Sequence, residues 1–218
     1  MKEVTISARC LEVYPWIQFA YGVVKNLLAI HPSDYLKEKQ KETEAYIRNS
    51  SQGLLEKAKA ISRFYKVQGE KNRSHIESLI KSISNGKSIK PVNFIVDSVM
   101  LAEVRNALLL GVHDLDRIEG DAVLDAAKDG ECFVGIGQRK ITTRQTEIVL
   151  RDPIGIWASY TQGPDARTAV SPDSKNVMIL GFFTPEASRE AMIRGIQDAV
   201  DTLMQAGKGE AEDVRVIP

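Results

Sequence analysis

The chain has 218 residues, of which 43% are apolar and 27% are charged, proportions that favour one globular domain and exclude a disordered protein. Its 29 basic and 29 acidic side chains balance, which excludes a nucleic-acid binder with a general basic excess, so any RNA would have to meet a local patch. No apolar run reaches the roughly 20 residues of a membrane span and the first residues lack an apolar stretch, which predicts a cytoplasmic protein.

The first part of the sequence predicts two strands followed by a series of helices. The β-prone segments are residues 3–7 and 19–30. The segments with a helical pattern are residues 33–49, which begin at the predicted cap Ser33, residues 54–67, and residues 74–86, which begin with a Ser-x-x-Glu capping pattern. In the second helix apolar and aromatic residues, Tyr65 among them, recur at helical spacing, so one side is predicted to lie in the core.

The second part predicts a buried helix and then a sheet. Residues 91–108 carry a broad apolar stripe, with Pro91 allowed in the first turn. The short apolar runs that suit an antiparallel sheet or small barrel are residues 122–127, 132–137, 146–151, 155–160 and 176–183. Thr184 and Pro185 begin a predicted last helix. We therefore expect one domain over residues 1–208, with a loose tail at 209–218. Its predicted fold is α+β, with a mixed or antiparallel, partly barrel-like β core covered by several helices.

A polar loop over residues 111–121 is the first candidate for a functional site. It combines His113 with several acids, but one histidine with scattered carboxylates matches no zinc or calcium pattern, so no metal or other cofactor is predicted. Asp114 and Asp116 have a second interpretation, in which their side-chain oxygens cap turns. His75 is predicted to be a surface or helix-cap residue.

A second polar loop covers residues 161–177. Arg167 and Lys175 are suited to hold a phosphate or carboxylate, and Thr168 and Ser171 supply hydroxyl groups. The alternative is that these are solvated residues of a hairpin.

Three segments, taken in order, resemble successive signatures of the B3/B4 editing domain of the phenylalanyl-tRNA synthetase β chain, and most closely its freestanding form. They are residues 89–103, 111–131 and 171–185. Together with the mainly helical segment that precedes them, the resemblance covers residues 5–205. In the synthetase this domain hydrolyses the ester of wrongly charged tyrosyl-tRNA in a pocket between the β core and its covering helices. The resemblance implies a similar fold, tRNA or aminoacyl-tRNA as partner, and a deacylase that edits mischarged tRNA in trans.

The resemblance also assigns individual positions. Asn93 and Asp97 fall on the polar helix positions of the motif, Asp114 and Asp116 fall on its D-L-D turn, and Asn176 falls on the asparagine of its T-x-N-V pattern.

Two positions depart from the family pattern. The histidine that precedes the D-L-D turn aligns with Gly111, two residues before His113, and the substrate-reading glutamate falls near Asp165 or Ala166. The resemblance therefore does not assign tyrosine as the amino acid.

An aminoacyl-tRNA hydrolase of this kind needs a positioned water, donors for the developing oxyanion and a group that holds the α-amino group. The catalytic candidates are Asn93, His113 and Asp114. The substrate-binding candidates are Asp97, Asp116, Arg167, Thr168, Lys175 and Asn176. Two alternatives stay open: a non-catalytic module that binds tRNA or an amino acid, and a small-molecule enzyme or sensor that reuses the pocket. A basic stripe beside the pocket would favour the tRNA-related functions.

Overall fold

Five α-helices lie against three β-sheets in the computed structural model, which describes residues 3–28 and 34–218. The helices are α1 (Ala8–Val13), α2 (Asp34–Val67), α3 (His75–Ser84), α4 (Phe94–Asn106) and α5 (Arg189–Ala206). The strands are β1 (Val4–Ile6), β2 (Phe19–Leu28), β3 (Leu109–Asp114), β4 (Ala122–Ala126), β5 (Cys132–Gly135), β6 (Arg139–Thr142), β7 (Ile148–Arg151), β8 (Ile156–Ser159), β9 (Gly163–Pro164), β10 (Val177–Phe182), β11 (Lys208–Ala211) and β12 (Arg215–Ile217). Within these ranges no helix is long and apolar enough to cross a membrane.

The strands form two larger sheets and a hairpin. The first sheet has the order β1-β4-β7-β8-β9, and the second has the order β11-β2-β10-β3, with β12 also paired to β2. Strands β5 and β6 form the hairpin. Among the described strand pairs, only β1 and β4 run parallel, and the others are antiparallel. The predicted α+β class with a mixed β core is confirmed, and the described strands form open sheets.

Alternating side chains of β10 enter two different cores. Val177 and Ile179 pack into the cluster formed with α4 and α5, while Met178, Leu180 and Phe182 pack into the cluster shared with α2, α3 and the first sheet. This is the period of two that a strand imposes on its side chains. The second sheet is therefore buried on both faces.

Helix α5 approaches β10 closely at Gly181. A Cβ atom at this position would lie 2.4 Å from the Met192 sulfur and 2.9 Å from Ile196 Cδ1. A side chain at this position would force Met192 and Ile196 to shift, so glycine favours the close approach of α5 to the sheet.

The two helices predicted over residues 33–49 and 54–67 are one long element, α2. Ser50 has non-helical backbone angles (φ −122°, ψ 18°), which places a kink between the two predicted parts. The predicted cap Ser33 and the end of the predicted strand at residues 29–30 lie outside the described residues.

Two helices begin later than the sequence predicts. Asn93, not Pro91, precedes the first turn of α4, and its side chain accepts hydrogen bonds from the first free N–H groups. Likewise Ser188, not Thr184, caps α5. In both cases the helix begins where a side-chain oxygen accepts hydrogen bonds from the first free backbone N–H groups. A proline is compatible with the first turn of a helix but does not determine where the helix begins.

Two predicted irregular segments are strands. The loop predicted over residues 111–121 begins as β3, which pairs antiparallel with β10 so that His113 lies opposite Met178. Where the sequence predicts a loose tail over residues 209–218, the structure has β11 and β12, and both strands pair with β2. The backbone hydrogen bonds offered by β10 to the first segment and by β2 to the second order these segments, although their own sequence pattern is weak.

Candidate active site

A cavity of about 600 Å³ lies between the helices α2, α3 and α4 and the strands β3, β8 and β9. Much of its wall is apolar, with Val96, Val99 and Met100 on α4 and Leu109 on β3. Its size and largely apolar lining are typical of a small-molecule site, in which a few polar groups orient the ligand.

Asn93 brings the first of these polar groups to the cavity. Its Oδ1 atom accepts hydrogen bonds from the N–H groups of Ile95 (3.1 Å) and Val96 (3.0 Å), so it caps α4. The amide Nδ2 has no partner among the described residues. Asn93 therefore presents a fixed hydrogen-bond donor at the cavity wall.

His113 is the second predicted catalytic residue that lines the cavity, and it is 2% exposed. Its ring packs edge-on against Trp157 with centroids 4.7 Å apart. Burial lowers the pKa of His113 to about 3, so the imidazole is neutral at physiological pH. A neutral ring in this position is a hydrogen-bonding group and a poor base.

The tautomer of His113 follows from its neighbours. Thr168 Oγ1 lies 2.5 Å from Asp165 Oδ1 and 2.9 Å from His113 Nδ1. Because a carboxylate only accepts, the hydroxyl donates to Asp165 and accepts from the Nδ1–H group of His113. Nε2 is then the ring atom that carries the lone pair. Thr168 thus positions His113 from behind the cavity wall.

His75 and Glu103 form a pair at the cavity that the sequence analysis did not identify. His75 Nε2 lies 3.2 and 3.3 Å from the two carboxylate oxygens of Glu103, and both residues line the cavity. Loss of hydration where the ring packs at the cavity wall opposes its protonation, but the charge and hydrogen bond of Glu103 outweigh this and raise the pKa of His75.

Two tyrosines also contribute to the lining. Tyr65 from α2 and Tyr160 after β8 meet edge-on with ring centroids 5.6 Å apart. The buried Tyr160 hydroxyl has no hydrogen-bond partner in the described structure, and burial raises the pKa of both phenols. The prediction that Tyr65 lies on the buried side of its helix is confirmed, and its ring also faces the cavity.

The predicted substrate-binding residue Arg167 contacts other protein groups. Its guanidinium donates to Asp152 at 2.9 and 3.1 Å and lies 3.4 Å from Asp165. A third contact reaches the backbone carbonyl of Arg117. These bonds hold the loop after β9 against the turn between β7 and β8, which is a structural role.

Asp114 is likewise used within the fold. Its Oδ1 accepts from Asp116 N (3.1 Å) and its Oδ2 accepts from the Ser174 hydroxyl (2.6 Å). Asp114 therefore caps a short turn, as the second interpretation of the sequence predicts.

Asp116 and Asn176 lie together at a different place. Asn176 Nδ2 donates to both oxygens of Asp116 at 2.9 Å, and the two residues line a smaller cleft of about 460 Å³ with Lys25 and Asp121. The predicted site residues thus divide between two surfaces.

The two remaining candidates do not line the larger cavity. Asp97 accepts from Val92 N (2.8 Å), and its burial raises its pKa. Lys175 is exposed and its ammonium makes no ion pair with a described residue. In the portion of the chain that the structure describes, no group of three or more His, Cys, Asp or Glu side chains is placed to hold a metal.

Comparison with known proteins agrees with this architecture. The model of the B3/4 domain family matches residues 55–200. The phenylalanine–tRNA ligase β subunit of Mycoplasma genitalium is 35% identical over 98 residues, which are 45% of this chain and 12% of that protein. An N-terminal fragment of the phenylalanyl-tRNA synthetase β subunit from Pyrococcus horikoshii has the same fold, with a TM-score of 0.56 at 14% identity over 96% of this chain and 50% of that one. The chain belongs to the B3/4 domain family.

Proposed function

We propose that this protein is an aminoacyl-tRNA deacylase that hydrolyses the ester of mischarged tRNA in the cytoplasm. The observation that carries the proposal is the cavity beneath α4, which combines apolar walls with an amide donor and two imidazoles. This volume suits an amino-acid side chain together with its ester group. Membership of a family found in a tRNA ligase subunit supports tRNA as the carrier of that ester.

Basic segments next to the cavity support an RNA partner. Three segments without acidic residues, 71–76, 87–96 and 136–144, each include a residue that lines the cavity: His75, Val92 and Ile136. Their exposed lysines and arginines are Lys71, Arg73, Lys87, Lys90, Arg139, Lys140 and Arg144. Among the described residues two of this set have ionic partners: Arg73 lies 4.0 Å from Glu77, and Arg144 lies 2.8 Å from Glu70. Unpaired cations are available to neutralise phosphates, so this patch offers the acceptor end of a tRNA a local binding surface on a protein of zero net charge.

Hydrolysis of an aminoacyl ester needs only a few groups in the site. An aminoacyl ester is activated, so holding one water near the carbonyl supplies much of the rate, together with a donor for the oxyanion. Asn93 Nδ2 is free to donate because the other end of the amide is committed to the helix cap. We assign Asn93 this donor role.

Release of labelled amino acid from a panel of mischarged tRNAs tests the proposal. We expect hydrolysis of particular pairs, and we expect Lys87→Glu/Lys90→Glu to raise KM roughly tenfold or more with little change in kcat, because it reverses two phosphate-binding charges. The matched control is Lys57→Glu/Lys208→Glu, two exposed lysines whose sequence neighbours do not line the cavity.

No release from any pair at high protein concentration would contradict the deacylase. If tRNA still bound with the same dependence on Lys87 and Lys90, the protein would instead be a binding module.

A second prediction separates the two roles of Asn93. Asn93→Asp keeps an oxygen that caps α4 and removes the amide donor, so we expect kcat to fall about 100-fold while the melting temperature stays unchanged. Asn93→Ala removes both groups and should also destabilise the protein by about 1 kcal/mol. Kinetics and thermal melts of both variants check this. A wild-type kcat for Asn93→Asp would remove Asn93 from the proposed mechanism.

A further inference from the structure

The His75–Glu103 pair is a carboxylate–imidazole arrangement within the cavity. Glu103 is 5% exposed, and its Oε1 atom also accepts from the backbone N–H of Leu110 at 2.9 Å. The carboxylate is therefore held in place from the start of β3. Because the carboxylate accepts from His75 Nε2, the second ring nitrogen, Nδ1, carries the lone pair of the neutral imidazole.

The position of His75 is also fixed from its own side. His75 is the first residue of α3, directly after the buried cap Ser74. Ser74 bonds Ser62 of α2 twice, through its backbone N–H (2.9 Å) and through its hydroxyl (3.0 Å). The imidazole thus sits on a helix end that is anchored to a second helix, while α4 supplies its partner.

We propose that His75 is the general base that activates the hydrolytic water in this cavity, and that Glu103 is the residue that positions it. This inference rests on the proposed deacylase function and names the group that performs its proton transfer. The His75 side chain is 56% exposed, so its ring is accessible to water and to a ligand.

Other titratable groups at the cavity are less suited to the task. His113 is buried and its pKa is strongly lowered, so its imidazole is too weak a base to take a proton from water at neutral pH. Glu103 is the only acidic side chain of the described lining, and it is committed to His75 and Leu110. The Tyr65 phenol faces this pair from α2. Its pKa is raised mainly by burial and to a smaller extent by the negative charge of Glu103. His75 has a pKa raised above its ordinary value, towards the pH at which a base acts best.

The proposed hydrolysis conserves atoms and charge. The water oxygen attacks the ester carbonyl carbon while a water proton passes to His75 Nδ1. The tetrahedral intermediate then collapses, the bond between the carbonyl carbon and the ribose oxygen breaks, and the imidazolium returns the proton to that oxygen. The products are the free amino acid and tRNA with a free terminal hydroxyl, and His75 is neutral again.

The test compares wild type with His75→Gln and Glu103→Gln in single-turnover hydrolysis of a mischarged tRNA across pH. Gln retains a donor for Glu103 but takes up no proton, so we expect the rate to fall at least 100-fold in His75→Gln, with loss of the wild-type rise in rate with pH. Glu103→Gln removes the charge that raises the pKa of His75, so the rising limb should move to lower pH. Thermal melts check that both variants are folded.

Chemical rescue gives an independent readout. Imidazole added to His75→Ala should restore much of the lost rate, relative to the same tRNA with imidazole alone, and should leave the wild-type rate unchanged. If wild type hydrolyses its substrate and His75→Gln keeps the same rate and pH profile, the base assignment is overturned while the proposed function stands. If wild type hydrolyses no pair, both fall.

Discussion

Replacing Arg167 with methionine is expected to lower the free energy of unfolding by about 3 kcal/mol. The partner of Arg167, Asp152, has a side chain with 0% exposure, and it receives two guanidinium hydrogen bonds. Burial alone would raise the pKa of Asp152, but backbone hydrogen bonds and Arg167 together lower it. Removing the cation leaves a buried carboxylate without its counter-charge, which costs more than the pair itself contributes.

The expected value is at the lower end for a buried pair because other bonds remain. Asp152 keeps three backbone N–H donors, and Arg167 is 27% exposed. Urea unfolding at neutral pH measures the change. Arg139→Met is the matched control, since Arg139 is exposed and its side chain makes only a 3.4 Å bond to a backbone carbonyl.

A tRNA-binding measurement on the same variant, read together with its stability, decides between the two roles of Arg167. If Arg167→Met is as stable as wild type and loses affinity for tRNA, then Arg167 binds substrate, as the sequence pattern suggests. Unchanged affinity in a destabilised protein would support the structural role.

Local sequence signals predicted much of the fold. The Ser-x-x-Glu pattern identified α3 with its cap at Ser74, and the short apolar runs identified β4, β7, β8 and β10. These elements are set by interactions within a few residues or by runs of apolar side chains that become buried. Strands β3, β11 and β12 were missed because their order comes from partners far along the chain, chiefly β10 and β2.

The candidate site was predicted in part for the same reason. Asn93 and His113 were identified and line the cavity. His75 and Glu103 are 28 residues apart, and no spacing rule joins a residue at the start of one helix to a residue near the end of another. The density of polar residues that drew attention to Asp114 and Arg167 reflects loops whose backbone needs side-chain partners.

The buried imidazole of His113 should make the protein lose stability steeply as the pH falls. Its pKa is about 3 in the folded protein and near 6.5 in the unfolded chain, so below pH 6.5 the unfolded state binds a proton that the folded state does not. The stabilisation is thus complete above pH 6.5 and decreases towards pH 3. The expected slope is about 1.4 kcal/mol per pH unit once the unfolded imidazole is fully charged.

Urea unfolding of wild type and His113→Asn between pH 6.5 and 4.5 isolates this contribution. Asparagine keeps a polar atom towards Thr168 and does not titrate, so wild type should lose about 2 kcal/mol more than the variant over this range. Asp152 and Glu131, whose pKa values are lowered by their partners, also reduce stability at low pH, but they do so equally in both proteins. The raised pKa of His75 acts in the opposite direction, since its contribution is present below pH 6.5 and is lost only as the pH rises through that higher value. Parallel pH dependences of the two proteins would mean that the folded state accepts a proton at His113. The imidazole of His113 could then serve as a base in the cavity. His113 would in that case compete with His75 as the group that activates water.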